Sequence, residues 1–505
     1  MKRTKIRGII GTVIICLILI PNVAAAILWG PYITDTDTNS TTINWKTEDA
    51  TLGTVKYATD EYYTEHGDYD HTIVDKKKQL HSVTITDLKS DMVYHYQVKI
   101  KNKLTDDHIF KTLLVNGSFT FIVYGDTREQ TGLFTQMERH KLVADRIAEE
   151  KNISFVIHTG DLVSSGSDLN EWNDFFNAGQ AMLANTTIYP VLGNHEDNHT
   201  NYYDAFKLPA WHSFDCGNAH FTMLDSNDWA DTASQTAWLQ DGLDCDANWK
   251  FVSFHHPIYS SDERHFGGWK NDAWEDIFIN NSVDAVFNGH VHVYERYEKS
   301  GIQYMVVGCG GAPLYSLSME KIPGYQNSLE HTLGYVKITI SGEETIIDVI
   351  KVADISEDNV NVTYIYPPNT VFETIMFTKG QAADSTSLTT TASVNIPMVG
   401  ISLNRTEIDY GNIRAGQNLD NEPIKITNIG SSDVDVTLEV TGATMVAQSF
   451  YEQSLHVDES LYNPVMVIVQ IPTANTEDVV TQLRVPYSWT DAGTQSATFV
   501  FWAEV

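Results

Sequence analysis

Five short apolar runs constrain the fold of this chain more than any other feature. They are FTFIVYG (119–125), ISFVIHTG (153–160), TIYPVLG (187–193), KFVSFH (250–255) and VDAVFNG (283–289). Runs of this length without polar alternation mark strands buried on both faces. Amphipathic stretches lie between them. FTQMERHKLVADRIAEE (134–150) and EWNDFFNAGQAML (171–183) carry apolar residues at three- and four-residue steps, and GWKNDAWEDIFIN (268–280) is a shorter case. Strands alternating with helices predict a layered α/β domain. GYVKITISG and TIIDVIKV, beyond residue 330, are expected to complete it.

Two all-β regions flank this core. Residues 27–115 alternate polar and apolar residues in STTINWKTE, GTVKYAT, HSVTIT and MVYHYQVKIKN, which predicts about seven short strands in a sandwich. Residues 381–397 are Ser/Thr-rich and aperiodic and read as a linker. Residues 398–505 predict a second β-sandwich, in which no chemistry is legible. At 505 residues the chain exceeds one ordinary core, so several domains are required.

The first 26 residues carry four basic and no acidic side chains, an apolar run and an Ala24-x-Ala26 end. This is a secretory signal pattern. The charge-free interval from Arg7 to Asp35 is also long enough for a membrane anchor. Either reading puts the rest of the chain outside the cytoplasm, as a secreted or cell-surface protein, with membrane association through the N-terminus in the second case. Cys216 and Cys245 could pair there, leaving Cys309 free and buried. A net charge of −33 argues against nucleic-acid binding through the surface.

Each buried run ends in a short polar motif: GDTR (125–128), GDL (160–162), GNHE (193–196), HHP (255–257) and GHVH (289–292). Loops at the carboxyl ends of strands build the site in α/β sheets. Asp126, Asp161, Asn194, His255, His290 and His292 are therefore expected to converge. Oxygen and imidazole donors without thiolates suit Zn, Mn or Fe. Six donors exceed what one four-coordinate ion needs, and a carboxylate bridging two ions uses them all. A single Asp after a strand is often only a cap, and a single His is often only a satisfied polar residue. Five motifs in series make coincidence improbable. In NGHVHVYER, strand periodicity would turn His290 and His292 to one side. His256 would then face away from His255, either supporting the ligands from behind or in a structural role. His158 reads as structural too, and Glu196 and Asp197 either orient His195 or lie on the surface.

The ordered motifs resemble those of the calcineurin-like metallophosphoesterases. GHVHVYER, SFDCGNAHFTMLDS and the opening GPYIT are similar to the purple acid phosphatases with a fibronectin type III-like N-terminal domain. The resemblance covers roughly residues 28–380. It implies a central β-sandwich flanked by helices over 116–380, and two divalent or trivalent metal ions (Fe, Zn or Mn). Asp126, Asp161 and His292 would hold the first ion. Asp161, as a bridge, with Asn194, His255 and His290 would hold the second. It further implies an exported, acid-phosphatase-like hydrolase that cleaves phosphate monoesters with metal-activated hydroxide. His195 would act on the phosphate, and His265 in SSDERHFGG would be the general acid. A phosphodiesterase or nucleotidase on the same site, and a cell-surface binding protein with a relic site, are the alternatives.

The chain also departs from that pattern. The purple branch has a metal-ligating tyrosine three residues after the bridging Asp, where this chain has Ser164. Other branches use Asp-x-His for the first motif, where this chain has Asp126-Thr127-Arg128. The first metal keeps three protein ligands, so an uncoloured protein with a weaker or water-completed first metal is expected. Arg128 either contacts phosphate bidentately or forms a surface salt bridge.

Overall fold

The structure is a computed structural model. It describes residues 27–379 apart from 102 and 270, and shorter stretches between 401 and 504. The N-terminal segment 1–26 and the linker 381–397 lie outside the described residues. The chain divides into two compact units, Met1–Ala383 and Asp384–Val505. Among the described residues no helix is long and apolar enough to cross a membrane.

The N-terminal part of the first unit comprises β1 (Ile27–Thr34), β2 (Thr41–Thr59), α1 (Asp60–His66), β3 (His71–Ile85), β4 (Val93–Ile100), β5 (Lys103–Leu104) and β6 (His108–Lys111). Six strands form, close to the number the alternation suggests, and one hydrogen-bonded network connects them all. The reason lies in β2. Its first half pairs with β1 and its second half with β4, while β3 follows it along the other edge. Register shifts between Lys46 and Gly53 let one strand serve both halves. Ile43, Trp45, Val55, Val83, Tyr96 and Val98 form the core. The WGPYIT segment (29–34) is an interdomain contact. Trp29 stacks on Phe176 at 4.8 Å, and the Tyr32 hydroxyl donates to the Ala205 carbonyl at 2.7 Å.

Two seven-stranded sheets follow. One is built on β7 (Phe119–Tyr124), β8 (Ile153–His158) and β9 (Thr187–Pro190), which run parallel. The other contains β10 (His212–Cys216), β11 (Ala219–Met223), β12 (Trp249–Ser253), β13 (Ala285–Asn288), β14 (Tyr294–Lys299), β15 (Ile302–Val307) and β16 (Tyr325–Leu329). Within it β11, β12, β13 and β15 are parallel. The first sheet is completed by β17 (Thr332–Ser341), β18 (Glu344–Ile355), β19 (Val362–Ile365) and β20 (Val371–Thr378). The sheets meet through phenylalanines. Phe121 packs edge-on against Phe221 at 5.0 Å and Phe251 at 5.5 Å, and Phe155 against Phe221 at 5.0 Å. This explains why these strands read as unbroken apolar runs: one face meets the opposite sheet and the other meets helices.

The helices are α2 (His140–Glu149), α3 (Leu169–Ala178), α4 (Gln180–Leu183), α5 (Thr200–Phe206), α6 (Thr232–Leu243) and α7 (Asp272–Asn280). The periodicity from 134 overstates α2. Residues 134–139 are instead tied to the site loops, with the Gln136 amide donating to the Thr127 and Leu162 carbonyls at 3.2 and 2.5 Å. Helix α6 escapes the apolar pattern because one inward residue is polar: buried Gln235 bonds both backbone groups of Asp225. Cys216 and Cys245 are not joined, and all three described cysteines are free thiols. Among the described residues the second unit forms three small antiparallel sheets, built on Ile424–Asn428, Thr481–Arg484 and Val434–Gly442 among others.

Candidate metal centre

Parallel pairing puts the carboxyl ends of β7, β8 and β9 side by side, and likewise those of β12 and β13. Asp126 follows β7, Asp161 follows β8, and Asn194 and His195 open a 3₁₀ turn after β9. His255 follows β12, and His290 and His292 follow β13. Three of these residues have left-handed backbones, with φ of 57° at Asp126, 53° at Asp161 and 68° at His290. Outside glycine this costs on the order of 1–3 kcal/mol each and persists only where surrounding bonds enforce it. Here the Asp126 amide donates to the Gly160 carbonyl at 3.0 Å, and the Thr127 amide to the Asp161 carbonyl at 3.0 Å. The His290 amide donates to both Asp126 carboxylate oxygens, at 2.9 and 3.0 Å. A Cβ on Gly289 would lie 2.3 Å from Asp126 Oδ2, so the glycine lets this loop close on the carboxylate.

Two strand-based expectations need correcting. Residues 289–293 are not a strand. Val291 N–H bonds to Gly289 O and Val293 N–H to Val291 O, both at 2.8 Å, in successive tight turns. His290 and His292 reach neighbouring groups of ligands through that turn, not through strand alternation. His256 likewise lies beyond the end of β12, where alternation no longer applies. It faces the site, with its ring 5.0 Å from that of His255 and 4.5 Å from that of His290. Ser226 Oγ, 2.9 Å from its Nδ1, fixes it there.

The donors fall into two adjoining groups. Asp126, Asp161 and His292 offer ligand atoms all within 4.8 Å of one another, as do His255, His256 and His290. Asp161 links them, with its Oδ1 3.3 Å from His255 Nε2. Asn194 Oδ1 lies 3.0 Å from both His255 Nε2 and His290 Nδ1. The two ring nitrogens are 3.2 Å apart. His255 Nδ1 donates to the Thr159 carbonyl at 2.8 Å, and His292 Nδ1 to the Pro313 carbonyl at 2.6 Å. These bonds leave both Nε2 lone pairs facing the site when the rings are neutral. Acceptors so crowded repel one another unless a cation sits among them.

The electrostatics carry the same signature. Burial opposes a charge on His255, yet Asp161 and Asp126 push it up to about 9, so a proton supplies the positive charge. Burial would raise Asp161, but His255 and His195 outweigh it and hold the carboxylate far below its usual range. Burial and the His255 charge push His290 down to about 2. A donor set of buried carboxylates, neutral imidazoles and one amide oxygen fits a pair of Zn, Mn or Fe ions.

The remaining candidates lie around these groups. His195 Nδ1 donates to the Ser164 carbonyl at 2.8 Å, and its Nε2 lies 3.9 Å from Asp161 Oδ2. Ser164 turns its hydroxyl to the Glu129 carbonyl at 2.9 Å. Arg128 is not a surface residue. Its side chain is 12% exposed, with Nε 4.0 Å from Asp161 Oδ2. His265 stands 4.7 Å from His290, ring to ring, and its Nδ1 bonds Asp262 Oδ2 at 2.8 Å. Glu196, fully buried, receives the amides of Asp161, Leu162, Val163 and Gly193 at 2.8–3.2 Å. It binds the second motif to the third and does not lie on the surface. His158 is buried and bonds Thr127 Oγ1 at 3.1 Å.

Sequence reasoning missed Asp262 and Tyr315. Tyr315 stacks on His292 at 4.2 Å and lies under the Arg264 guanidinium at 4.4 Å. Asp262 had a signal, three residues before His265, whereas Tyr315 sits in an aperiodic loop and had none.

Comparison with known proteins decides the domain identities. Residues 119–294 match the calcineurin-like phosphoesterase family, and residues 31–112 match the purple acid phosphatase N-terminal domain. The chain carries a calcineurin-like phosphoesterase domain behind a purple acid phosphatase N-terminal domain. Its relatives are purple acid phosphatases. It is 25% identical over 310 residues to a probable purple acid phosphatase 20 of Arabidopsis thaliana, covering 53% of this chain and 70% of that one. It is 25% identical over 300 residues to a phosphoenolpyruvate phosphatase of Allium cepa, covering 50% and 60%. The matches thus span about three fifths to seven tenths of those relatives. Purple acid phosphatase PPD1 from yellow lupin (Lupinus luteus) seeds shares the fold, with TM-score 0.56, 16% identity and coverage of 69% of this chain and 74% of that one. PhoD shares it with TM-score 0.53 and 15% identity, covering 69% and 90%.

Proposed function

We propose that this protein is an exported metal-dependent phosphoric ester hydrolase that cleaves phosphate monoesters at a dinuclear centre. The observation that carries the reading is the pair of adjoining donor groups joined through Asp161. Asp126, Asp161 and His292 would hold one ion. Asp161, Asn194, His255 and His290 would hold the other. The ions, when bound, supply neutralisation of the phosphoryl oxygens and a more acidic water.

The chain's own groups do the rest. His195, anchored through Nδ1 on the Ser164 carbonyl, turns Nε2 to the site, where the doubly protonated ring can donate to a phosphoryl oxygen. His265, oriented by Asp262, can protonate the leaving oxygen from Nε2 as the imidazolium that the Asp262 carboxylate stabilises. Arg128 offers a partly unsatisfied guanidinium to the same anion. The proposal includes the division into 27–115, 116–380, a linker at 381–397 and 398–505, supported by the matched spans and the two compact units. It also includes secretion or cell-surface display, supported by the basic-apolar-Ala pattern of the first 26 residues.

The test compares hydrolysis of an aryl phosphate monoester with that of the matching diester by the metal-loaded full-length protein. Faster turnover of the monoester is expected. A protein that prefers the diester would refute the monoesterase reading while keeping the phosphoesterase one.

A further inference from the structure

Arg128 faces Oδ2 of the carboxylate that the two ligand groups share, whereas His255 of the second group faces Oδ1. Arg128 N–H bonds the Asp161 carbonyl at 3.2 Å, which fixes the base of its side chain on the bridging residue. Its Nε then lies 4.0 Å from Asp161 Oδ2, on a side chain 12% exposed. Among the described residues that Nε is buried without a hydrogen-bond partner, and Nη1 has only a 3.4 Å contact to the Glu129 carbonyl. A guanidinium keeps its charge and its five donors across the physiological pH range. Among the described residues Asp126, Asp161 and His292 form the ligand group on that side, and Ser164 is turned away onto Glu129.

We propose that Arg128 sets the occupancy of the first metal position. In the resting protein its charge, held at Asp161, competes with an ion for that carboxylate, so the first position binds metal weakly while the second binds tightly. A phosphate group entering the site takes the free guanidinium donors and cancels their charge, and the first metal then binds. Metal and phosphate binding are thereby coupled, and the coupling is reciprocal. A unit positive charge about 4–6 Å from a divalent ion weakens its binding roughly tenfold to thirtyfold even at the dielectric constant of water.

This inference rests on the two-metal reading above, and the experiment separates the two. Full-length protein is dialysed to equilibrium against graded Mn2+, with and without inorganic phosphate, and bound metal is counted. His292→Ala identifies which binding event belongs to the first position. Wild type should bind one equivalent tightly and a second at least tenfold more weakly, with phosphate tightening the second at least tenfold. Arg128→Gln should tighten the second equivalent without phosphate and shrink the phosphate effect. Arg128→Lys, which keeps the charge, should leave it weak. An unchanged or weaker second equivalent in Arg128→Gln, or Arg128→Lys behaving like Arg128→Gln, would overturn the proposal while leaving the two-metal reading intact. Absence of any bound metal in wild type would overturn both.

Discussion

Gly193→Ala tests the packing of the second and third motifs more severely than loss of any ligand. Gly193 has φ −92° and ψ 172°, a backbone that alanine adopts freely. Any effect must therefore come from space. An added Cβ would lie 2.2 Å from Asp161 Oδ1, 2.3 Å from the Asp161 backbone nitrogen and 2.9 Å from Glu196 Oε2. Ordinary contact requires these loops to part by about 1 Å. Overpacking of this kind costs about 1–3 kcal/mol. The Gly193–Glu196 bond of 2.8 Å and the Asp161–Glu196 bond of 3.0 Å would stretch with it. A shift of about 1 Å in a positioned catalytic group lowers turnover roughly a hundredfold. Urea denaturation followed by tryptophan fluorescence reads the stability, and aryl phosphate hydrolysis reads the rate. Gly242→Ala is the control: it lies in α6 with nothing within 4 Å of the added atom, and it should stabilise by about 0.5–1 kcal/mol. Wild-type stability and a rate within about threefold in Gly193→Ala would show that the loops do not pack as described.

Three further outcomes follow from the site. His255 has its pKa raised to about 9, so in the metal-free protein its stabilising contribution is complete below its unfolded value of about 6.5 and is lost as pH rises through 9. An ion needs the neutral ring, so calorimetry at pH 7–8 in buffers of different ionisation enthalpy should detect about one proton released from this residue on metal binding. Asp161 has the opposite sign: its lowered pKa stabilises the metal-free protein above about pH 4, and acid removes that contribution, so the urea midpoint should fall below pH 4. His265→Ala should slow alkyl phosphates by roughly a hundredfold or more and aryl phosphates much less, because only a poor leaving group needs the proton. Equal slowing of both would remove His265 from the acid role.

The layered fold was legible because its strands are buried on both faces, and unbroken apolar runs such as FTFIVY and AVFN have few other uses. The loops that meet at the site were legible for the same reason, since each motif sits directly at the end of such a run. What was hidden depends on local tertiary bonding. The turn at 289–293 is set by its own backbone bonds and by Asp126, so reading it as a strand failed even though both histidines arrive at the site. His256 was misplaced because alternation was extended past the end of β12. Helix α2 begins late because Gln136 is engaged by the loops after β7 and β8. Connection of the N-terminal strands through one hydrogen-bonded network turns on register shifts within β2, which have no sequence signature. Tyr315 reaches the site only through its stacking on His292, a contact its aperiodic loop does not announce.

The most direct test of the account is metal content and hydrolysis measured together on full-length protein, wild type against Asp161→Asn. Asp161 joins both ligand groups, so the two-metal account predicts hydrolysis of an aryl phosphate by wild type reconstituted with Mn, Zn or Fe. It also predicts that Asp161→Asn, still folded, loses most bound metal and nearly all activity. Full metal retention and activity in Asp161→Asn, or neither metal nor hydrolysis in wild type with any of the three metals, would contradict it.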